Sequence, residues 1–183
     1  MEANFTAQVL RATLFAARAH AGQVRKGAAA EPYVNHVIEV AAILAEHGAP
    51  DEAILAGLLH DTVEDTETTD VDLITVFGAA IAGLVAEATD DKEKPKEIRK
   101  ALQISQAPQH SEAAKQVKLA DKIANLRSIA ESPPANWNHA RRIEYVGWAG
   151  RVAAGLKGVN PGLDDLFDTT YRAALARLAS EVP

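Results

Sequence analysis

Apolar positions recur along the chain at three- and four-residue spacing, the period of helices that each bury one side. Phe5, Val9, Leu10, Leu14 and Phe15 mark a first amphipathic helix over about 5–20, with Gly22 as its stop. A loop carrying two adjacent cations, Arg25 and Lys26, then runs to Pro32-Tyr33. Asn35 reads as the N-cap of a second helix that begins at His36, carries Ile38, Val40, Ile43 and Leu44, and ends at His47-Gly48. Pro50 and Asp51 open a third helix, whose apolar face (Ile54, Leu55, Leu58, Leu59) runs on into His60-Asp61-Thr62-Val63-Glu64-Asp65. A polar turn leads to a short helix through Leu73, Ile74 and Phe77, and Gly78 separates it from another over 81–85. A lysine-rich segment around Pro95 follows, from Lys92 to Lys100. A long helix from about Glu112 carries Val117, Leu119, Ile123 and Leu126 and is broken by Pro133-Pro134. Ile143, Tyr145, Val146 and Trp148 mark a further helix to about Leu156, and the last runs from Leu163 to Leu178. No segment alternates as a strand does. The expected fold is all-α, one domain over 1–183 with a single core.

Composition narrows the chemistry. The chain has 183 residues and no cysteine, which removes disulfides, zinc–thiolate sites and cysteine nucleophiles. No apolar run approaches the ~18 residues of a membrane span. No basic region followed by an apolar stretch opens the N-terminus, so a cytoplasmic protein is expected. A net charge of −6 argues against general nucleic-acid binding and leaves room for an anionic small ligand at a local basic cluster.

The third helix needs a reason to end in an imidazole and three carboxylates, because crowded carboxylates repel one another. Helical spacing sets His60 one turn from Glu64 and Asp61 one turn from Asp65. A bound cation favours ionised carboxylate and neutral imidazole together. Asp121 and Asn125 share a face of the long helix, as do Lys118 and Lys122. Taken singly, these features also fit a solvated acidic helix end, a histidine cap at His36, an interhelical hydrogen bond, and surface charge at Arg25 and Lys26. His110 and His139 are assigned nothing.

Together the pieces form an H…HD…D arrangement: His36, His60-Asp61 and Asp121. The segments His20-Ala21-Gly22-Gln23-Val24-Arg25-Lys26-Gly27, Pro32-Tyr33-Val34-Asn35-His36, Leu58 to Thr66, Phe77-Gly78, Thr89 to Lys92 and Val117 to Lys122 follow in one order. Over about residues 5–157 the chain resembles the HD-type hydrolase domain of RelA/SpoT homologues, in the stand-alone form of small alarmone hydrolases that includes the metazoan SpoT homologue. The resemblance implies hydrolysis of (p)ppGpp at its 3′ position, releasing pyrophosphate and leaving GDP or GTP. It implies one Mn²⁺ held by His36, His60, Asp61 and Asp121, and a water-activating acidic pair, Glu64 and Asp65. It places phosphate and nucleotide contacts at Arg25, Lys26, Lys96, Asn125 and Tyr145, with ppGpp or pppGpp as the partner molecule. Ala124 departs from relatives that carry a larger side chain there. On residue chemistry alone, two imidazoles and two carboxylates suit Mn²⁺, Fe²⁺ or Zn²⁺ with positions left for water. Two alternatives remain at this stage: another phosphohydrolase specificity, such as removal of the 2′-phosphate of NADPH, and a non-catalytic HD interaction module. Oligomeric state is not legible.

Overall fold

The computed structural model describes residues 4–181, all helix and connection, with no strand among them. The expected domain limits at 1 and 183 therefore lie outside the described residues. Helix α1 spans Phe5–Ala19, and its first turn is capped by Asn4, whose side chain accepts from Thr6 N at 2.9 Å. Gly22, at φ +78°, lets the chain reverse after it. The loop to residue 33 is tied down by two isolated antiparallel bridges, Val24 to Pro32 and Gly27 to Pro134. At Gly27 a Cβ would lie 2.4 Å from the Ser132 carbonyl oxygen, so the close approach of the two segments requires glycine.

Helix α2 (Val34–Glu46) starts two residues before the expected position. Tyr33 already has helical backbone angles, and no side chain caps the first turn. Asn35 is therefore inside the helix, and His36 is its third residue. Helix α3 (Asp51–Leu59) follows Pro50, with Asp51 and Glu52 at its positive end. From Ala53 to Leu59 every residue is buried, so this helix is the core element. Gly57 allows α2 to approach, since a Cβ there would meet Leu44 Cδ1 at 2.6 Å.

The apolar helix does not continue through the acidic residues as its spacing suggests. It stops at Leu59, His60 and Asp61 form a joint, and a single turn, α4 (Thr62–Asp65), follows. Thr62 Oγ1 donates to Leu59 O at 2.7 Å across that joint. A capping box of Thr69 and Asp72 starts α5 (Asp70–Phe77), and Gly78, at φ +86°, turns it into α6 (Ala79–Ala88). The lysine-rich segment is half loop and half helix, α7 (Lys96–Gln106), which leads through a 3₁₀ turn at Ala107–Gln109. Ser111 caps α8 (Glu112–Glu131) and Asn138 caps α9 (His139–Leu156). The last helix, α10 (Pro161–Ala179), begins at a proline that needs no N–H partner, two residues before the expected start.

One apolar cluster takes residues from α1, α2, α3, α5, α6, α8, α9 and α10. Helices α2, α3 and α8 lie side by side in it, and α10 covers the outer face of α8 through Leu163, Phe167, Ala174 and Leu178. His47 serves its helix end, donating from Nδ1 to Ile43 O at 2.8 Å. No helix among the described residues is long and apolar enough to cross a membrane.

Candidate active site

Two helices and the α3–α4 joint bring the H…HD…D residues to one point. His36 arrives from the first turn of α2, His60 and Asp61 from the joint, and Asp121 from the middle of α8. His36 Nε2 is 3.2 Å from Asp121 Oδ1 and 3.5 Å from Asp61 Oδ2. His60 Nε2 is 3.2 Å from Asp61 Oδ2 and 3.7 Å from Asp121 Oδ1. His36, His60 and Asp121 offer ligand atoms all within 4.8 Å of one another, with Asp61 beside them.

The tautomer of His60 states what belongs there. Its Nδ1 lies 2.8 Å from the carbonyl of Gly57, which can only accept, so Nδ1 carries the hydrogen. The Nε2 lone pair of the neutral ring then faces two carboxylates, buried and without a hydrogen-bond partner among the described residues. Lone pairs aimed at anions repel unless a proton or a cation stands between them. Two imidazole nitrogens and two carboxylates at these separations fit a divalent cation.

The electrostatics without an ion express the same demand. Burial works to lower His60, but the charges and contacts of Asp61 and Asp121 together outweigh it, and the imidazole is raised well above its usual range. Burial works to raise Asp61, but the charge and hydrogen bond of His60 together with the His36 charge outweigh it and hold this carboxyl well below the usual carboxylate range. Asp121 is also held far down against burial, chiefly by Lys122, whose Nζ is 2.8 Å from Asp121 Oδ2. Lys122 is 5% exposed, lies 5.1 Å over the Trp148 ring, and stays charged because Asp121, Tyr145 and Asp90 together overcome its desolvation.

Glu64 and Asp65 line the same polar hollow of about 180 Å³ as His36, His60, Asp61 and Asp121. Glu64 is raised, mainly by burial, although the Asp90 backbone N–H donates to its Oε2 at 3.1 Å. Arg99 Nη1 lies 3.8 Å from its other oxygen. Asp65 accepts from the Tyr33 hydroxyl at Oδ2, pairs with Lys92 at Oδ1, and receives Gln23 Nε2 at its backbone carbonyl at 2.7 Å.

A second cavity of about 490 Å³ adjoins this hollow, and Tyr33, Asp65 and Asn125 line both. Arg25, Lys26, Asn125 and Tyr145 meet in it, with Trp137 beside them. Trp137, Tyr145 and Trp148 form an aromatic row with ring centroids 5.4 and 5.3 Å apart. Burial pushes the Tyr145 hydroxyl up to about 12, so it remains a donor at neutral pH. Lys96 lines neither cavity. It borders a neighbouring hollow of about 380 Å³ together with Lys26, Arg141 and Tyr145.

Several residues of the site carry no signal in the chain beyond type and spacing. Tyr33 reads as a turn aromatic after Pro32, yet its hydroxyl reaches Asp61. Its own pKa is driven far up by burial and then by Asp61. Lys118 and Lys122 share a helical face in the sequence but are buried in the structure, where Lys118 Nζ donates to Ala88 O at 2.8 Å. Trp137 and Gln103 are likewise unannounced, and Asp90 stands in the Thr89–Lys92 segment without an assigned role. His110 and His139 have local partners, Glu87 and the Leu178 carbonyl, away from the site.

The HD domain family matches residues 12–149 of the chain. The guanosine-3′,5′-bis(diphosphate) 3′-pyrophosphohydrolase MESH1 of Homo sapiens is 50% identical, over 91% of this chain and 94% of its own length. The Drosophila melanogaster MESH1 is 43% identical with the same two coverages. The solved structure of a metazoan ortholog of SpoT that hydrolyzes ppGpp and plays a role in starvation responses has a TM-score of 0.87 at 41% identity, covering 91% of this chain and 94% of that one. The structure of lmo0812 from Listeria monocytogenes is more distant, with a TM-score of 0.65 at 34% identity, covering 81% and 98%. This chain belongs to the HD-domain family and, within it, to the MESH1 branch.

Proposed function

We propose that this chain is a (p)ppGpp 3′-pyrophosphohydrolase, converting ppGpp or pppGpp and water to GDP or GTP and pyrophosphate. The observation that carries the reading is the junction of two cavities. An acidic, imidazole-bearing hollow opens into a basic and aromatic cleft, with Asp65 and Asn125 on the wall between them. A nucleotide with phosphates on both sides of its sugar needs these two environments side by side. Membership of the MESH1 branch points to the same substrate.

In this reading His36, His60, Asp61 and Asp121 hold one divalent ion per chain; the donor set suits Mn²⁺, Fe²⁺ or Zn²⁺, and we assign Mn²⁺ from the family resemblance. Such an ion, when bound, acidifies a water and polarises a phosphoryl oxygen. Glu64, raised by burial, takes the proton of the attacking water, and Asp65 orients that water. The oxygen adds to the phosphorus on the 3′ oxygen, the P–O bond to the sugar breaks, and the sugar oxygen leaves with a proton. Arg25 and Lys26 neutralise phosphates in the cleft, and Lys96 does so from the adjoining hollow. Asn125 and Tyr145 contact the nucleoside, beside Trp137.

We treat the whole chain as one hydrolase domain, because α10, beyond the matched residues, packs on the helix that carries Asp121. With a nucleotide as substrate, the cytoplasm is the compartment this reading assigns. The test is turnover by Mn²⁺-loaded protein of ppGpp, and of NADPH in parallel, with products identified. GDP and pyrophosphate from ppGpp are expected. Phosphate released from NADPH with ppGpp left intact would replace this reading with a 2′-phosphatase, and no turnover of either would replace it with a binding module.

A further inference from the structure

Tyr33 has no task in the reading above, and it stands between two groups that the reading keeps apart. Its Oη is 2.6 Å from Asp61 Oδ2 and 3.2 Å from Asp65 Oδ2. Ionised carboxylates only accept, and a phenol carries one hydrogen. The two carboxylates therefore share a single donor in a three-centre bond, with the shorter contact at Asp61 taking the larger part. That same Asp61 Oδ2 is the oxygen facing the imidazoles of His36 and His60. A hydrogen bond on the outer side of a ligand oxygen fixes the direction of the lone pair that remains.

The ring is held independently of its hydroxyl. It lies 4.8 Å from the His20 ring and 5.7 Å, edge-on, from His36. The Tyr33 backbone N–H donates to Gln23 O at 2.9 Å, and the Gln23 amide nitrogen donates onward to the Asp65 carbonyl. With that nitrogen spent on a carbonyl, Gln23 Oε1 accepts from His20 Nδ1 at 2.9 Å. The loop carrying Tyr33 and the turn carrying Asp65 are thus joined through Gln23, by its backbone carbonyl on one side and its side-chain amide on the other, which keeps the hydroxyl at both carboxylates. Lys92, on the far oxygen of Asp65, is about half exposed and holds it less firmly.

We infer that Tyr33 is a positioning residue that ties the ion-holding carboxylate to the water-handling one. Its hydroxyl aims Asp61 at the ion and sets Asp65 beside it, so one donor orders both. The inference rests on the proposed roles of Asp61 and Asp65. It predicts two separable losses when the oxygen is removed and the ring kept, as in Tyr33→Phe. Mn²⁺ affinity should fall about 10- to 100-fold, the usual effect of deleting a hydrogen bond behind a ligand. The kcat at saturating Mn²⁺ should fall by a factor in the same range, about tenfold or more. The KM for ppGpp, set in the cleft, should stay within about twofold.

The experiment is a Mn²⁺ titration of metal-stripped protein by calorimetry, followed by kcat and KM at saturating Mn²⁺, below the thermal midpoints of all variants. The parent, Tyr33→Phe, Asp65→Asn and the double variant are compared. In the double variant the Mn²⁺ loss should persist, while the kcat loss from Tyr33→Phe should vanish because the Asp65 arm is already gone. A parent that binds no divalent ion overturns the ligand roles and the inference together. If the parent binds the ion and turns over ppGpp, the inference alone is overturned by a Tyr33→Phe variant that matches it in affinity and kcat. A loss in only one of the two also overturns it, since Tyr33 would then serve a single carboxylate.

Discussion

Arg25 Nη2 donates to Asn125 Oδ1 at 2.9 Å, joining residues 100 positions apart. The same amide donates from Nδ2 to Asp121 Oδ1 at 2.6 Å. One asparagine therefore links the cation proposed to face phosphate to a residue of the proposed metal site. Arg25→Ala should raise KM for ppGpp about tenfold or more, and high salt should mimic part of that in the parent. Asn125→Ala should raise KM and also weaken Mn²⁺ binding, because Asp121 loses a donor. Steady-state kinetics beside a Mn²⁺ titration separates the two; equal metal affinity in Asn125→Ala and parent would show the amide to be a substrate contact alone.

Lys122 makes Asp121 costly to change. Asp121→Asn should lose Mn²⁺ affinity and also leave a buried cation without its counter-charge. Removing one partner of a buried pair costs about 3–5 kcal/mol, and the amide oxygen that remains puts this case near the lower end. Adding Lys122→Met should restore stability and leave metal binding lost. Denaturant unfolding of the metal-free proteins measures the first, and calorimetry the second. A double variant no more stable than Asp121→Asn would mean that the pair does not set the stability of this region.

Glu64 and Asp65 should behave as water-handling groups. Glu64→Gln and Asp65→Asn are each expected to lower kcat by about 10²–10⁴, with Mn²⁺ stoichiometry unchanged. Combined, the losses should be less than multiplicative, because both residues serve one water. A variant that loses the ion would move its residue into the ligand set.

The acid limb of the kcat profile should report Glu64. Burial and the Asp90 charge raise this carboxyl, and only its ionised form takes a proton, so kcat should fall as pH drops through a value above the ordinary carboxylate range. Asp90→Asn keeps the backbone N–H and removes the charge, so the limb should move to lower pH. For stability the sign is reversed. A raised carboxyl favours the fold below its unfolded pKa, and that contribution is lost as pH rises through the folded value. An acid limb unmoved by Asp90→Asn would assign it to another group.

The helices and the H…HD…D residues were legible because apolar spacing and residue type are local properties. Four things were not. The break at His60-Asp61 contains neither glycine nor proline, so periodicity carried the helix through it. Asn35 has the preferred chemistry of a cap, but the backbone at Tyr33 is already helical and the cap position falls earlier. Tyr33 and Lys122 do their work through contacts set by tertiary packing, and a lysine in a helix reads as solvated until a tryptophan and an aspartate are found around it. Lys96, expected with the phosphate contacts, borders the neighbouring hollow because α7 begins there.

The joint between α3 and α4 has a consequence for the unfolded chain. His60 and Asp61 keep backbone angles in the helical region, yet their side chains meet at one point. The other two donors come from α2 and α8, far away in the chain. An ion held by all four closes two long loops at once, restricting the denatured ensemble as a disulfide would. With the proposed ion bound, a chain without a cysteine would have at this site a reversible cross-link that chelators can open.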